Sequence, residues 1–207
     1  MALFADRGAA GDDLASALEA WRGSDAVVFG IPRGGVVVAA RVARALELPL
    51  DVAVVRKIGT PAHEEYAVGA IAEGVRVLDE SAAGGVSDED LEAVEETERR
   101  ELARRTRVFP RRVTDLSGRA ALVVDDGVAT GATATAACLA LRAEGAARIV
   151  LASPVAPASW HPSADAVDEY VCLHPAADFW AVGQYYDDFT QTSDEEVIGL
   201  LSDDLPA

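Results

Sequence analysis

The sequence predicts an α/β fold: a doubly wound, mostly parallel sheet with helices on both faces. Three observations point there. Short apolar runs of strand length alternate with segments of helical periodicity, and that alternation implies crossover connections and parallel strands. The chain has 207 residues, half of them hydrophobic, enough to bury a sheet on both sides within one domain. Several of the apolar runs end in loops of glycine, hydroxyl and charged residues, as strands do when their carboxyl ends share a ligand-binding edge.

The elements follow in order. DDLASALEAWR (12–22) spaces Leu14, Leu18 and Trp21 for a helix behind an acidic start. AVVFGI (26–31) reads as a strand ending at PRGG, and VVVAARVARALEL (36–48) as a helix with Arg41 and Arg44 on one face. LDVAVV (50–55) reads as the next strand, RKIGTPAHEEY (56–66) as a loop, AVGAIA (67–72) as a strand, and EGVRVL (73–78) as a short hairpin. SDEDLEAVEETE then carries seven acids and RRELARRTRVFPRR seven arginines; this is a solvated helix capped by Ser87, its charges matched to the helix dipole. RAALVV (119–124) is a strand, GATATAACLALRAEG (131–145) a helix closed by Gly145, and RIVLASPVA and AVDEYVCLH two further strands. The tail, TSDEEVIGLLSDDL (192–205), reads as a capped helix with Val197, Ile198 and Leu201 facing inward.

Composition narrows the function classes. Thirty-five acidic residues against 18 basic ones leave a net charge of −17, so most of the surface repels nucleic acid. Lys57 is the single lysine among those 18, and an acidic, arginine-rich, lysine-poor chain fits a high-salt habitat where strong screening tolerates repulsion. No apolar run approaches the ~20 residues that span a bilayer, and the amino terminus lacks the zones of a signal peptide. A cytoplasmic protein without a membrane partner is expected. Cys138 and Cys172, without metal-ligand spacing, read as small buried hydrophobes.

Three loops carry the chemistry: IPRGG (31–35), RKIGTPAHEE (56–65) and DDGVATGAT (125–133). If their strands are parallel, all three meet at one edge. The third offers successive backbone N–H groups, the hydroxyls of Thr130 and Thr133, and a helix beginning near Gly131, which suits a phosphate at a helix N-terminus. No Gly-Lys-Ser/Thr follows and no GxGxxG occurs after a strand, so triphosphate and dinucleotide sites lose their usual signatures. Asp125 and Asp126 would repel a phosphate and must face another part of the same ligand. Vicinal sugar hydroxyls fit, and so does a Mg²⁺ bound to the ligand. The stretch therefore reads as a ribose 5-phosphate grip.

VVDDGVATGAT (123–133) resembles the phosphoribosyl pyrophosphate (PRPP) motif of type I phosphoribosyltransferases, with GIPRGG (30–35) resembling that family's pyrophosphate loop and VRKIG (55–59) the start of its mobile loop. The likeness covers a core of about residues 26–153, and the closing DFWAVGQYYDDFTQTSDEEV (178–197) is similar to a little-characterised branch of the family. The resemblance implies the Rossmann-like type I fold in a single domain, with a small hood drawn from the amino-terminal helix, segment 80–115 or segment 175–207. It implies that Asp125 and Asp126 contact the ribose hydroxyls, and that Ala129, Thr130, Gly131, Ala132 and Thr133 hold the 5′-phosphate. Arg33, Gly34 and Gly35 would bind pyrophosphate, where family members often hold a strained or cis peptide, and Arg56 and Lys57 would add positive charge. It further implies Mg²⁺ as cofactor, a nucleobase or similar amine as acceptor, and a homodimer.

Ala129 departs from the acid that 6-oxopurine salvage members usually carry, which leaves the proton acceptor open, with His63, Glu64 and Glu65 the nearest candidates. Trp180 and Tyr185 are the candidate stacking faces for the acceptor, whereas Phe179 and Phe189 read as packing residues. Two rival classes could use the same residues: a non-catalytic PRPP- or nucleotide-binding regulator, and a hydrolase or phosphorylase acting on ribose 5-phosphates. Retention of all three loops favours the transferase.

Overall fold

A computed structural model describes residues 2–60, 63–78, 83–109, 111–113 and 115–202, with the side chains of 63–67 outside the description. Helix α1 (Arg7–Ala17) leads to strand β1 (Val27–Gly30), helix α2 (Gly34–Leu46) and the short strand β2 (Leu50–Val52). Strands β3 (Val55–Thr60), β4 (His63–Ala72) and β5 (Val75–Leu78) follow, then helix α3 (Asp88–Val108). The chain continues through β6 (Ala120–Val124), α4 (Ala132–Ala143), β7 (Arg148–Pro157) and β8 (Glu169–Ala176) to a C-terminal helix α5 (Asp194–Ser202).

Five strands form a sheet in the order β2-β1-β6-β7-β8, and every neighbouring pair in it is parallel. Because side chains alternate across a strand, each strand feeds two cores. Val28, Leu122, Val124, Val150 and Ala152 pack with residues of α1, α2 and α5 on one side. Val27, Phe29, Ala121, Val123, Ile149 and Leu151 pack with α4 on the other. Each fully buried residue of this size contributes roughly 1.5–3 kcal/mol over exposure, so both faces are strongly specified and the doubly wound expectation holds.

The second loop expected at the ligand edge is instead part of a second sheet. β3, β4 and β5 form an antiparallel meander, so LDVAVV is not one strand and RKIGT is not a loop. A parallel neighbour needs a crossover of a dozen or more residues. Only Ala53 and Val54 separate β2 from β3, so β3 has no path back into the main sheet as a parallel strand. The hairpin at EGVRVL is present, with Gly74 at φ 71° in the turn between β4 and β5. Ile58, Val68 and Ile71 bury one face of the meander against Leu91 of α3.

α1 starts five residues earlier than the apolar spacing suggests. Asp6 caps it by accepting a 2.8 Å bond from the Ala9 amide, and its glycines serve close packing: a Cβ on Gly11 would lie 2.9 Å from the Val38 carbonyl of α2. Trp21 falls beyond the helix, in a single 3-10 turn at Glu19–Trp21. α3 keeps its Ser87 cap, and its arginines pair largely with acids of the same helix, as Arg100 does with Glu96 and Arg105 with Glu101. In α5, Val197 and Leu201 are buried, while Ile198, also expected inside, is 42% exposed. Cys138 is buried and Cys172 half-buried. No helix among the described residues is long and apolar enough to cross a membrane.

Candidate active site

β1 and β6 are hydrogen-bonded neighbours whose last residues, Gly30 and Val124, stand in register, so the first and third loops leave the sheet side by side. Two glycines allow them to touch. A Cβ on Gly34 would sit 2.0 Å from the Asp126 carboxylate, and one on Gly35 would sit 2.8 Å from the Val124 carbonyl; only a residue without a side chain fits either place. The Pro32–Arg33 peptide just before these glycines is cis. Ile31, Pro32, Arg33, Gly34, Lys57, Asp125 and Asp126 line a cleft of about 470 Å³ together with Val128, Ala129, Thr130, Gly131 and Thr133, whereas Gly35 and Ala132, also expected there, are not among its lining residues.

Asp125 and Asp126 are held from behind. Asp126 accepts a 2.7 Å hydrogen bond from Arg7 Nε at the start of α1, and its backbone carbonyl accepts one of 2.6 Å from the buried Tyr186 hydroxyl. Burial pushes the Asp125 carboxyl well above its ordinary value of 3.8, and the neighbouring Asp126 charge adds to the effect. Burial also raises Asp126, but there the Arg7 hydrogen bond opposes it. Two adjacent acids facing a cleft in this state gain when a ligand supplies hydroxyl donors or a cation.

The loop expected to hold a phosphate is shaped by Gly131, which caps α4 at φ 80°. Behind it stands Trp160, from the connection after β7: a Cβ on Gly131 would meet the indole ring at 2.2 Å. Gly131→Ala should therefore cost about 2–3 kcal/mol, from the left-handed backbone and the ring contact together, and should weaken phosphate binding. Thermal melts with and without inorganic phosphate would measure both; an unchanged melting temperature would contradict this packing. Thr130 Oγ1 lies 3.5 Å from the Ala132 amide, placing the hydroxyl at the helix N-terminus where an anion is favoured.

The cations divide. Lys57 lines the cleft with the acids. Arg33 also lines it, and its Nη1 lies 3.5 Å from Asp194 at the start of α5. Arg56, expected beside Lys57 on the same ligand, is not among those lining residues: it pairs with Glu98 of α3 at 2.6 Å and lines a neighbouring cleft of about 580 Å³ between the meander and α3. Lys57, Pro32 and Thr133 border both clefts.

The expected stacking residues are placed elsewhere. Trp180 is 90% exposed and outside the cleft. Tyr185 stacks on Phe179 at 5.7 Å and donates its hydroxyl to the Asp178 carbonyl. A 3-10 turn at Val182–Tyr185, with the Gln184 side chain accepting from the Trp180 and Ala181 amides, turns Trp180 away. Phe189, read as a packing residue, is 36% exposed and lines the cleft with Ala181, Val182 and Gly183. The side chains of His63, Glu64 and Glu65 lie outside the described residues. Residues near both ends of the chain meet beside the acids, where Phe4 bridges to Tyr186 and its ring packs against it at 5.4 Å.

Among the described residues no group of three or more His, Cys, Asp or Glu could hold a metal. Two carboxylates beside an anion-binding loop do suit a Mg²⁺ that arrives on a ligand's phosphates, since that ion commonly takes one or two protein carboxylates and keeps its other ligands.

Comparison with known proteins identifies the family. A family model described as the phosphoribosyl transferase domain matches residues 7–190. Two proteins from Mycobacterium tuberculosis, provisionally named phosphoribosyl transferases, are 51% identical over 97% of this chain and 47% of their own length. The chain thus spans about half the length of the curated relatives it matches. The crystal structure of TT1426 from Thermus thermophilus is 42% identical, covers 96% of this chain and 97% of its own, and superposes with a TM-score of 0.74. A hypothetical protein from Neisseria gonorrhoeae with bound ppGpp shares the fold at 16% identity and a TM-score of 0.51, over 94% of this chain and 90% of its own.

Proposed function

The chain belongs to the phosphoribosyl transferase family, and from that premise we propose that it moves the ribose 5-phosphate of PRPP onto a nitrogen acceptor, a nucleobase or a similar amine, with release of pyrophosphate. The observation that carries this reading is the meeting of Arg33 and Gly34, the Asp125–Asp126 pair, and Ala129, Thr130, Gly131 and Thr133 in one cleft with Lys57. One ligand that needs an anion site at each end and hydroxyl acceptors between them is a 1-diphosphate of ribose 5-phosphate.

In the proposed reaction the acceptor nitrogen forms a bond to C1 as the bond from C1 to the diphosphate oxygen breaks. The electron pair leaves with pyrophosphate, and the nitrogen's proton passes to solvent or a base. No covalent enzyme intermediate is needed. The protein's part is electrostatic: Arg33 and Lys57 stabilise charge developing on the leaving group, while Asp125 and Asp126 hold the sugar and lie near the positive charge that grows on its ring. Mg²⁺, carried on the diphosphate beside Asp125 and Asp126, would neutralise part of the same charge. Phe189 offers a ring face within the cleft for a planar acceptor.

The test is turnover. Incubated with PRPP, Mg²⁺ and a panel of purine and pyrimidine bases, the protein is expected to release pyrophosphate with at least one base and to form the matching nucleoside monophosphate. PRPP binding without pyrophosphate release across the panel would instead support a regulator that kept the pocket without the chemistry.

A further inference from the structure

Asp126 has a backing that the transfer reaction does not by itself require. Arg7, the first residue of α1, reaches across 119 positions of sequence to Asp126. Its three faces are all used. Nε donates to Asp126 Oδ2 at 2.7 Å, Nη1 donates to the Thr190 carbonyl at 2.8 Å, and the guanidinium plane lies 3.8 Å over the Phe189 ring. The Arg7 and Asp126 side chains are 11% and 15% exposed, so neither is a surface ion free to wander. A Cβ on Gly34 would meet both Asp126 Oδ2 and Arg7 Nε, at 2.0 and 2.6 Å; the pair is therefore pressed against the first loop. Among the described residues no hydrogen bond is made to Asp126 Oδ1, which leaves that oxygen to accept from a ligand.

We infer that Arg7 is a positioning residue for sugar recognition: by clamping Oδ2 of Asp126 against the glycine loop and bracing the clamp on Phe189 and Thr190, it aims Oδ1 at a ribose hydroxyl and sets the preference for ribose over deoxyribose phosphates. The inference rests on the ribose-phosphate reading of the cleft. A lysine could supply the charge but not two donors on separate edges with a flat face between them. Without the clamp Asp126 is free to rotate about its side-chain torsions, and an acceptor that is not held in place discriminates weakly between a hydroxyl and a hydrogen. The phosphate loop is untouched by the change, so affinity for the phosphate itself should survive.

The experiment compares wild type, Arg7→Gln and Arg7→Lys by titration with ribose 5-phosphate and with its 2-deoxy and 3-deoxy analogues, each variant first checked by thermal melting. Arg41→Gln serves as the structural control. Arg41 ties α2 to Asp12 of α1 at the surface, so its loss loosens the helix without touching Asp126. Wild type is expected to favour ribose 5-phosphate over at least one deoxy analogue by about tenfold or more, the scale of a hydrogen bond to a charged group. Arg7→Gln should reduce that ratio to about two- or threefold, Arg7→Lys should fall between, and Arg41→Gln should retain it. The inference is overturned if wild type shows no preference, if Arg7→Gln keeps the full ratio, or if Arg41→Gln loses it equally. A parallel PRPP titration of wild type separates this from the transferase reading: ribose 5-phosphate bound and PRPP refused sinks the transferase and leaves the Arg7 result standing.

Discussion

Replacing both acids, in Asp125→Asn/Asp126→Asn, is expected to remove saturable PRPP binding, with the dissociation constant rising by about 10²-fold or more. Each carboxylate that accepts from a ligand hydroxyl contributes on the order of 1.5–3 kcal/mol, and an amide oxygen recovers only part of that. Isothermal titration with Mg²⁺ at molar salt, where the −17 surface is well screened, would measure it. The single variants should separate in stability. Asp125 has a folded-state pKa well above its ordinary 3.8 because of burial and the Asp126 charge. Such a group opposes folding as pH rises past the unfolded value, so the cost is present at neutral pH and absent in acid. Asp125→Asn should therefore stabilise the fold at pH 7 by about 0.5–2 kcal/mol, as changes at strained functional positions often do. Burial raises Asp126 as well, but the Arg7 hydrogen bond opposes the shift, so Asp126→Asn should stabilise the fold less than Asp125→Asn does, its gain offset by leaving Arg7 nearly buried against a neutral partner. Undiminished PRPP binding by the double variant would end the ribose reading. A larger gain in melting temperature for Asp126→Asn than for Asp125→Asn would contradict the electrostatic account of the pair.

What could be read from the chain divides by sequence distance. The strand, acid pair and small-residue loop of 123–133 are contiguous, and their chemistry depends on local backbone: a parallel strand ending, a glycine at positive φ and a helix beginning. The glycine loop at 31–35 was legible for the same reason. The backing of Asp126 was not. Arg7 finds Asp126 and Thr190 at 119 and 183 residues' separation, and nothing in FADRGAAG distinguishes it from a surface arginine at a helix start. Trp160 is another case: a tryptophan a few residues past a strand at the ligand edge was a usable signal, yet its partner, the phosphate-loop Gly131, is known only from packing. The aromatic tail misled because FWAVGQYYDDF holds five rings in eleven residues, and which of them faces the cleft is decided by one 3-10 turn. The meander was missed because RKIGT has the polarity of a loop, while antiparallel pairing with β4 satisfies its backbone.

Lys57→Ala is expected to lower kcat/KM for the proposed transfer by about 10² to 10³, the usual cost of losing one preorganised charge on a leaving group, while changing stability by no more than about 0.5 kcal/mol. The contrast follows from position. Lys57 is exposed on β3 at the border of both clefts, so nothing in the core depends on it, yet its charge reaches Asp125 and Asp126, where it is one of the smaller influences opposing the burial that raises both carboxyls. Arg56, one residue earlier, provides the comparison. Its guanidinium is engaged by Glu98, so Arg56→Ala should loosen α3 from the meander, costing about 1 kcal/mol as a partly buried pair, with the smaller effect on turnover. Salt sharpens the distinction. At molar ionic strength the screening length is about 3 Å, so a cation that acted only through the general field of the cleft would already be silent there, and its removal would cost little. A loss of about 10² or more that persists at molar salt requires Lys57 to touch the departing pyrophosphate. Equal losses for Lys57→Ala and Arg56→Ala would place the leaving group in the cleft beside α3 instead.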